Sequence, residues 1–308
     1  MVKEAMPLVD NFEKVLVSVI LTTYRRCSEL RKSLTSIFNQ TYLDIEVVLV
    51  DDNADFVWNQ KVKAIITEYD FARANFTYIV NRENCGSADS RNIGIQAAKG
   101  EYVTFLDDDD VYLPEKVEKQ LEFMLSTRAD YCISDLYLYD ENDRLADKRI
   151  RSYVKKFDQR SLLRYHLMHH MTGTDTLMFR KSYFIDIGGF PSIDVGDEFY
   201  LMERAILGDG VFAYLPGCHV KAYIHTETAG LSSGAGKIHG ENILFEHKKT
   251  FFNQLDSPAI RYIKMRHYAV LAFAALRQKY FGQFALYSLI AFCCSPIHSA
   301  KLFWGRRG

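Results

Sequence analysis

Four aspartates, Asp107–Asp110, stand in a row directly after the apolar run Tyr102–Leu106. Two carboxylates about 4 Å apart repel by roughly 1 kcal/mol in water and about 4 kcal/mol at an effective dielectric of 20. Something must offset that repulsion, and three chemistries would use it. Clustered carboxylates bind a hard divalent cation through oxygen ligands. They act as general acid and base. They also cap a following helix through its dipole, and Pro114 marks such a helix. Capping accounts for one or two acids, whereas a cation neutralises the whole cluster. A second acidic pair, Asp51–Asp52, ends the apolar run IEVVLV, and Thr22-Thr23-Tyr24 ends VLVSVIL.

The elements that must carry these residues follow from periodicity. Val15–Leu21, Ile45–Val50, Phe76–Val80 and Tyr102–Leu106 are short runs rich in β-branched and aromatic residues and predict strands. Helical spacing predicts helices over Ser28–Gln40, Val57–Asp70, Ser87–Lys99 (stopped by Gly100) and from Pro114 to Leu125. Strict alternation of strand and helix argues for an open, mostly parallel α/β sheet. Ligands of such sheets bind beyond the carboxyl ends of the strands, where the aspartates and threonines gather. Farther on, Asp130–Tyr139, Thr174–Arg180 and Val211–Leu215 predict strands, and Tyr183–Gly189 and Glu198–Leu207 predict helices. Pro258 onward is helical and rich in aromatics. Residues 1–153 are expected to form a nucleotide-binding half and 154–252 an acceptor half of one domain, followed by a helical tail, 253–308.

The 308 residues are 48% hydrophobic and 25% charged, with a net charge of -1, which is ordinary for a globular protein. Global charge therefore suggests no nucleic-acid partner. Charge is unevenly spread, however. After Ser257 the chain carries Arg261, Lys264, Arg266, Arg277, Lys279, Lys301, Arg306 and Arg307 and no acid. A basic, aromatic tail suits either an anionic membrane surface or a solvated helix face. Six cysteines without a CxxC pair suit a reducing cytosol. The start of the chain has no signal-peptide core, and no apolar run is long enough to span a bilayer. FALYSLIAFCC, Phe284–Cys294, is long enough only to lie in one leaflet. The expected location is cytoplasmic, peripheral on the inner face of the membrane.

Several motifs together carry a resemblance. VSVILTTYRR, VVLVDDNADF and SADSRNIGIQAAKGEYVTFLDDDDVYLP resemble, in order and spacing across Val17–Pro114, family 2 glycosyltransferases. The resemblance weakens after Asp140. It implies a GT-A fold: an open mixed sheet with a Rossmann-like nucleotide half, here with a C-terminal helical extension. It implies that Thr22, Tyr24, Asp51 and Asp52 line the nucleotide pocket, with Asp52 on the base and Asp51 as its structural partner. Arg91 would contact the nucleotide or its phosphates, while Asn92 and Gly94 shape its helix. Asp107-Asp108-Asp109 matches the D-x-D motif, with Asp109 the metal ligand, Asp107 near the donor ribose or sugar and Asp108 at the variable, exposed position. Asp110 would support the loop or cap the next helix. The implied cofactor is Mn²⁺ or Mg²⁺ on the donor diphosphate, where a Lewis acid helps the leaving group depart.

An inverting transfer also needs a carboxylate base. The family's Glu-Asp pair, with arginine six residues after the Asp, resembles GDEFYLMER, Gly196–Arg204, in which the order is Asp-Glu. Counting back from Arg204 makes Glu198 the base, with Asp197 the alternative. His225, in YIHTETAGLS, is a further ligand for the metal or diphosphate. HMTGTD, His170–Asp175, fits either an acceptor-pocket wall or a polar loop entering a strand. The expected reaction moves a sugar from a UDP-sugar to a glycan or lipid-linked glycan. Two other readings stay open: a sugar nucleotidyltransferase, although TTYRR lacks glycines for a phosphate loop, and an inactive binding module, which the inverted Asp-Glu order favours.

Overall fold

The computed structural model describes residues 15–70, 75–193, 196–224 and 234–304. The first half alternates as expected: β1 (Val17–Thr23), α1 (Ser28–Phe38), β2 (Ile45–Asp51), α2 (Phe56–Ile66), β3 (Asn75–Val80), α3 (Gly86–Ala97) and β4 (Tyr102–Asp107). Then follow β5 (Val111–Tyr112), α4 (Lys116–Thr127), β6 (Tyr131–Ser134), β7 (Leu136–Tyr139), β8 (Leu145–Arg149), α5 (Gln159–His169), β9 (Leu177–Arg180) and α6 (Lys181–Asp186). The remainder is α7 (Asp197–Leu207), β10 (Phe212–Leu215), β11 (Val220–Tyr223), α8 (Gly234–Lys249), α9 (Ser257–Arg277), α10 (Phe281–Cys294) and α11 (Pro296–Trp304).

Seven strands form the main sheet in the order β10-β6-β9-β4-β1-β2-β3. All pairings are parallel except those of β9, which runs antiparallel between β4 and β6. β9 comes from the second half of the chain, so both halves share one sheet. The pleat sorts the core. Val17, Val19 and Leu21 face Leu30, Leu34 and Ile37 of α1. Ile20, Val48, Val50 and Phe105 face the side covered by α3, α5 and α7. Register places Thr22 beside Asp107 and Thr23 beside Asp51, so three strand ends meet at one rim.

Gly94 explains how close α3 lies to the sheet: a Cβ there would sit 2.6 Å from Ile20 Cγ2 and 3.2 Å from Val50 Cγ2. Gly94→Ala is expected to cost about 1–3 kcal/mol by overpacking, read as a lowered melting temperature. An unchanged melt would show that α3 moves freely away from β1.

The structure departs from the expected elements in instructive places. Asp130–Tyr139 is two strands in two sheets, because the chain turns at Asp135. Its buried carboxylate accepts from Arg151 N (2.8 Å), Tyr214 Oη (2.7 Å) and Gly217 N (3.0 Å), fixing the corner. β7 joins a smaller sheet, β5-β11-β7-β8. Thr174–Thr176 is a 3₁₀ turn rather than strand. α4 starts at Lys116 rather than Pro114, whose carbonyl accepts from Thr41 N at 2.9 Å. In the tail, Ala259 and Ile263 of α9 are buried, and Arg266 donates to the Met168 carbonyl at 2.8 Å. The tail thus packs through α9 against α5, and α10 and α11 pack on α9 around Met265, Ala269 and Ala291.

Candidate active site

A cavity of about 550 Å³ opens at the strand-end rim, lined by Thr22–Tyr24, Arg26, Asp52, residues 84–91 in part, and Asp107–Asp109. Asp52 is 4% exposed and spans the gap to α3. One oxygen accepts from Asn81 Nδ2 and Cys85 N, both at 2.8 Å, and the other from Gly86 N at 2.9 Å. Its neighbour Asp51 is fully buried and accepts from Asn53 Nδ2 (2.7 Å) and Tyr78 Oη (2.6 Å). Asp51 is therefore a brace for the loop after β2 and does not line the cavity.

The four aspartates divide among three partners: Asp108 and Asp109 share Arg26, Asp107 meets Arg91 and Asp110 meets Asp175. Asp108 is 5% exposed, not exposed as its place in the motif suggested. It accepts from Thr23 Oγ1 (2.7 Å), Tyr24 N (3.1 Å) and Arg26 Nη1 (2.7 Å), which pins the loop after β1. Burial pushes its pKa up to about 6, against the opposing pull of Arg26. Asp109 pairs with the same Arg26 nitrogen at 2.8 Å. Asp107 accepts from Arg91 Nη2 at 2.6 Å. Asp110 is buried, accepts from Tyr223 N at 2.9 Å and is hydrogen-bonded to Asp175. Two carboxyls bonded to each other must retain a proton. Burial, then Asp175, raises the pKa of Asp110, and burial, then Asp107, raises that of Asp175 to about 7.

Asp107, Asp110 and Asp175 form a group whose oxygens lie within 4.8 Å of one another, the one such group among the described residues. The expected ligand Asp109 stands outside it, turned to Arg26. Asp110 was expected to support the loop or cap the next helix, and Asp175 to belong to an acceptor-pocket wall or a polar loop. Its one signal in the sequence was the polar loop HMTGTD. His225 lies outside the described residues.

Arg91 links the rim to the start of α7. It is 5% exposed and donates to Asp107 and, at 3.1 Å, to Asp197. Burial opposes its charge, but the two carboxylates outweigh burial and hold its pKa above the ordinary value. Asn92 Nδ2 donates to the Phe190 carbonyl at 2.8 Å and so ties α3 to the turn before α7. Asp197 and Glu198 open α7, at the end of the helix that stabilises anions. Burial pushes Asp197 up to about 6, although Arg91 lowers it. Glu198 accepts from Gly173 N at 2.8 Å and from Thr174 Oγ1. The 170–175 loop that supplies those donors also supplies Asp175.

Four aspartates with raised pKa values, Asp108, Asp110, Asp175 and Asp197, give the folded state a pH signature. Relative to an unfolded value of 3.8, their stabilising effect is full when they are protonated. It is lost as pH rises through about 6 for Asp108 and Asp197 and about 7 for Asp175. The melting temperature is expected to fall from about pH 4 to about pH 7, and Mn²⁺ should recover more of it at the higher pH. A flat profile would mean that these carboxylates are ordinarily solvated.

Comparison with known proteins agrees with this layout. The model of glycosyl transferase family 2 matches residues 18–185. An uncharacterised glycosyltransferase of Methanocaldococcus jannaschii is 34% identical over 176 residues, 56% of this chain and 59% of that protein. One of Haemophilus influenzae is 32% identical over 193 residues, 61% of this chain and 71% of that protein. The chain therefore spans somewhat over half of the first relative's length. In fold it is similar to S. aureus TarS 1–349 in complex with UDP-GlcNAc, with a TM-score of 0.58, 18% identity and coverage of 90% and 91% of the two chains. With its rim, its mostly parallel sheet and more than half its length matched, the chain belongs to glycosyl transferase family 2.

Proposed function

We propose that the chain moves a sugar from a nucleoside diphosphate sugar, most simply a UDP-sugar, to a hydroxyl of a glycan or lipid-linked glycan at the inner face of a membrane, with inversion. The single observation that carries the reading is the rim cavity, where the strand-end aspartates face the α3 entrance and Arg91 connects to the Asp197-Glu198 helix start. The similarity in fold to S. aureus TarS, solved in complex with UDP-GlcNAc, supports the uridine donor.

Glu198 takes the proton of the acceptor hydroxyl, and the oxygen attacks the anomeric carbon. The bond from that carbon to the donor phosphate breaks, and its electron pair leaves with the diphosphate. Asp197 is the alternative base. Asp107, Asp110 and Asp175 fit a hard divalent cation: all donors are carboxylate oxygens within 4.8 Å of one another, and the crowding raises the pKa of Asp110 and Asp175. Mn²⁺ or Mg²⁺ held there would supply positive charge to the departing diphosphate. Asp109 remains an alternative ligand if Arg26 turns away. Thr22, Tyr24 and Asp52 wall the nucleotide, and Arg91 fixes Asp107 and Asp197 relative to each other.

Thermal melting with UDP, GDP, CMP or dTDP, each with and without Mn²⁺, tests this. A native-state ligand adds about 2.7 kcal/mol at a hundredfold excess over Kd. UDP is expected to stabilise only with metal, and Asp175→Asn and Asp109→Asn identify which carboxylate the gain needs. If no nucleotide shifts the melt, the chain is a binding module on this fold. A nucleoside triphosphate with sugar phosphate outperforming UDP would favour the nucleotidyltransferase.

A further inference from the structure

We propose that the outer face of α10, with the α9–α10 turn, docks in plane on an anionic lipid bilayer. The proposal rests on the peripheral location inferred above and names the surface responsible. α10 is FGQFALYSLIAFCC, fourteen residues without a charge, yet only Ala291 in it is fully buried. Phe281, Leu286, Leu289 and Phe292 are each more than half exposed, and Tyr280 and Leu276 extend the patch across the turn. A contiguous apolar face of this kind marks an interaction site on a soluble chain.

Charge and length select the occupant. Exposed Arg277 and Lys279 flank the patch at the turn, exposed Lys301 follows on α11, and no acid occurs after Asp256. A second copy of the same face would bring like charges together, which costs affinity, whereas anionic headgroups complement them. No helix among the described residues is long and apolar enough to cross a membrane. Fourteen residues make about 21 Å of helix, so α10 lies along the surface. The opposite side of the tail is anchored near the site. Arg266 donates to the Met168 carbonyl, and Tyr262 Oη meets His169 Nδ1 at 3.3 Å. Those residues lead directly into the 170–175 loop that holds Glu198, so the tail is tied to the base side of the site.

Co-sedimentation of the full chain with vesicles tests the surface. The lipids are phosphatidylcholine alone, or phosphatidylcholine and phosphatidylglycerol at about three to one, at about 0.1 and 0.5 M salt. Binding is expected to be at least about tenfold tighter on the anionic vesicles and to weaken with salt. The pair Leu289→Glu and Phe292→Glu should reduce it by about tenfold or more, with an unchanged melting temperature showing that the fold is kept. No sedimentation, equal sedimentation with neutral vesicles, or full binding by the variant would overturn the proposal. So would a lipid-free dimer that the same pair dissolves, since a second copy would then own the face. Vesicle binding together with no nucleotide effect on melting would count against the donor reading and leave this surface standing.

Discussion

Glu198→Gln is expected to lower kcat by about 10²–10⁴-fold, the usual loss when a general base is removed, while leaving the UDP- and metal-dependent melting shift in place. The geometry makes this a clean substitution. A glutamine carbonyl still accepts from Gly173 N, and the Thr174 hydroxyl, which rotates, stays paired with the amide. The start of α7 and the loop that grips it should therefore hold. Asp197→Asn is the necessary companion. Asp197 sits with its pKa near 6, so if it were the base, kcat/KM would climb through about pH 6 and that limb would vanish in the variant. A Glu198→Gln enzyme within about tenfold of the parent, beside an inactive Asp197→Asn, would transfer the base role to Asp197. Full activity in both would leave the Asp-Glu pair as helix-start acids only.

Arg91→Met should destabilise the protein by about 3–5 kcal/mol, since deleting one partner of a buried ion pair leaves charge without compensation. Arg91 is the cation on which both Asp107 and Asp197 close, at 2.6 and 3.1 Å. The direction of the pH effect distinguishes this cause from lost packing against Phe190, whose ring centroid lies 5.3 Å away. Without the guanidinium Asp197 shifts further upward, so the deficit should be largest near pH 8 and shrink toward pH 5 as it takes up a proton. Adding Asp197→Asn should return part of the loss. A deficit independent of pH, and unrelieved by the second substitution, would identify packing as the role of Arg91.

How far the sequence announced all this varies with how local each signal is. Buried parallel strands write themselves as continuous apolar runs, so β1, β2 and β4 were readable, as was the gathering of polar residues at their ends. The same logic failed at Asp135. A buried acid in the middle of an apolar run gives no hint that the chain is changing sheets, because its partners Arg151, Tyr214 and Gly217 are remote in sequence. β8 was missed since all five residues are exposed and show no alternation. At the site, the row of aspartates advertised a problem but not its solution. Arg26 lay in plain view in TTYRR, yet nothing local said that it would take Asp108 and Asp109. Asp175 joins the cluster only through the antiparallel entry of β9, which no periodicity encodes.

That antiparallel strand also sets the order in which the molecule can be born. β4 ends at Asp107, and the strand that must lie against it begins only at Leu177. A ribosome adding about 5–20 residues per second needs roughly 4–14 s to cover that gap. Throughout the wait, one edge of the nascent sheet stays open and Asp107 lacks Asp175 as a neighbour. The carboxylate cluster is thus a late product of synthesis. A chain released early carries the most recognisable motifs of the family and cannot assemble the site that those motifs advertise.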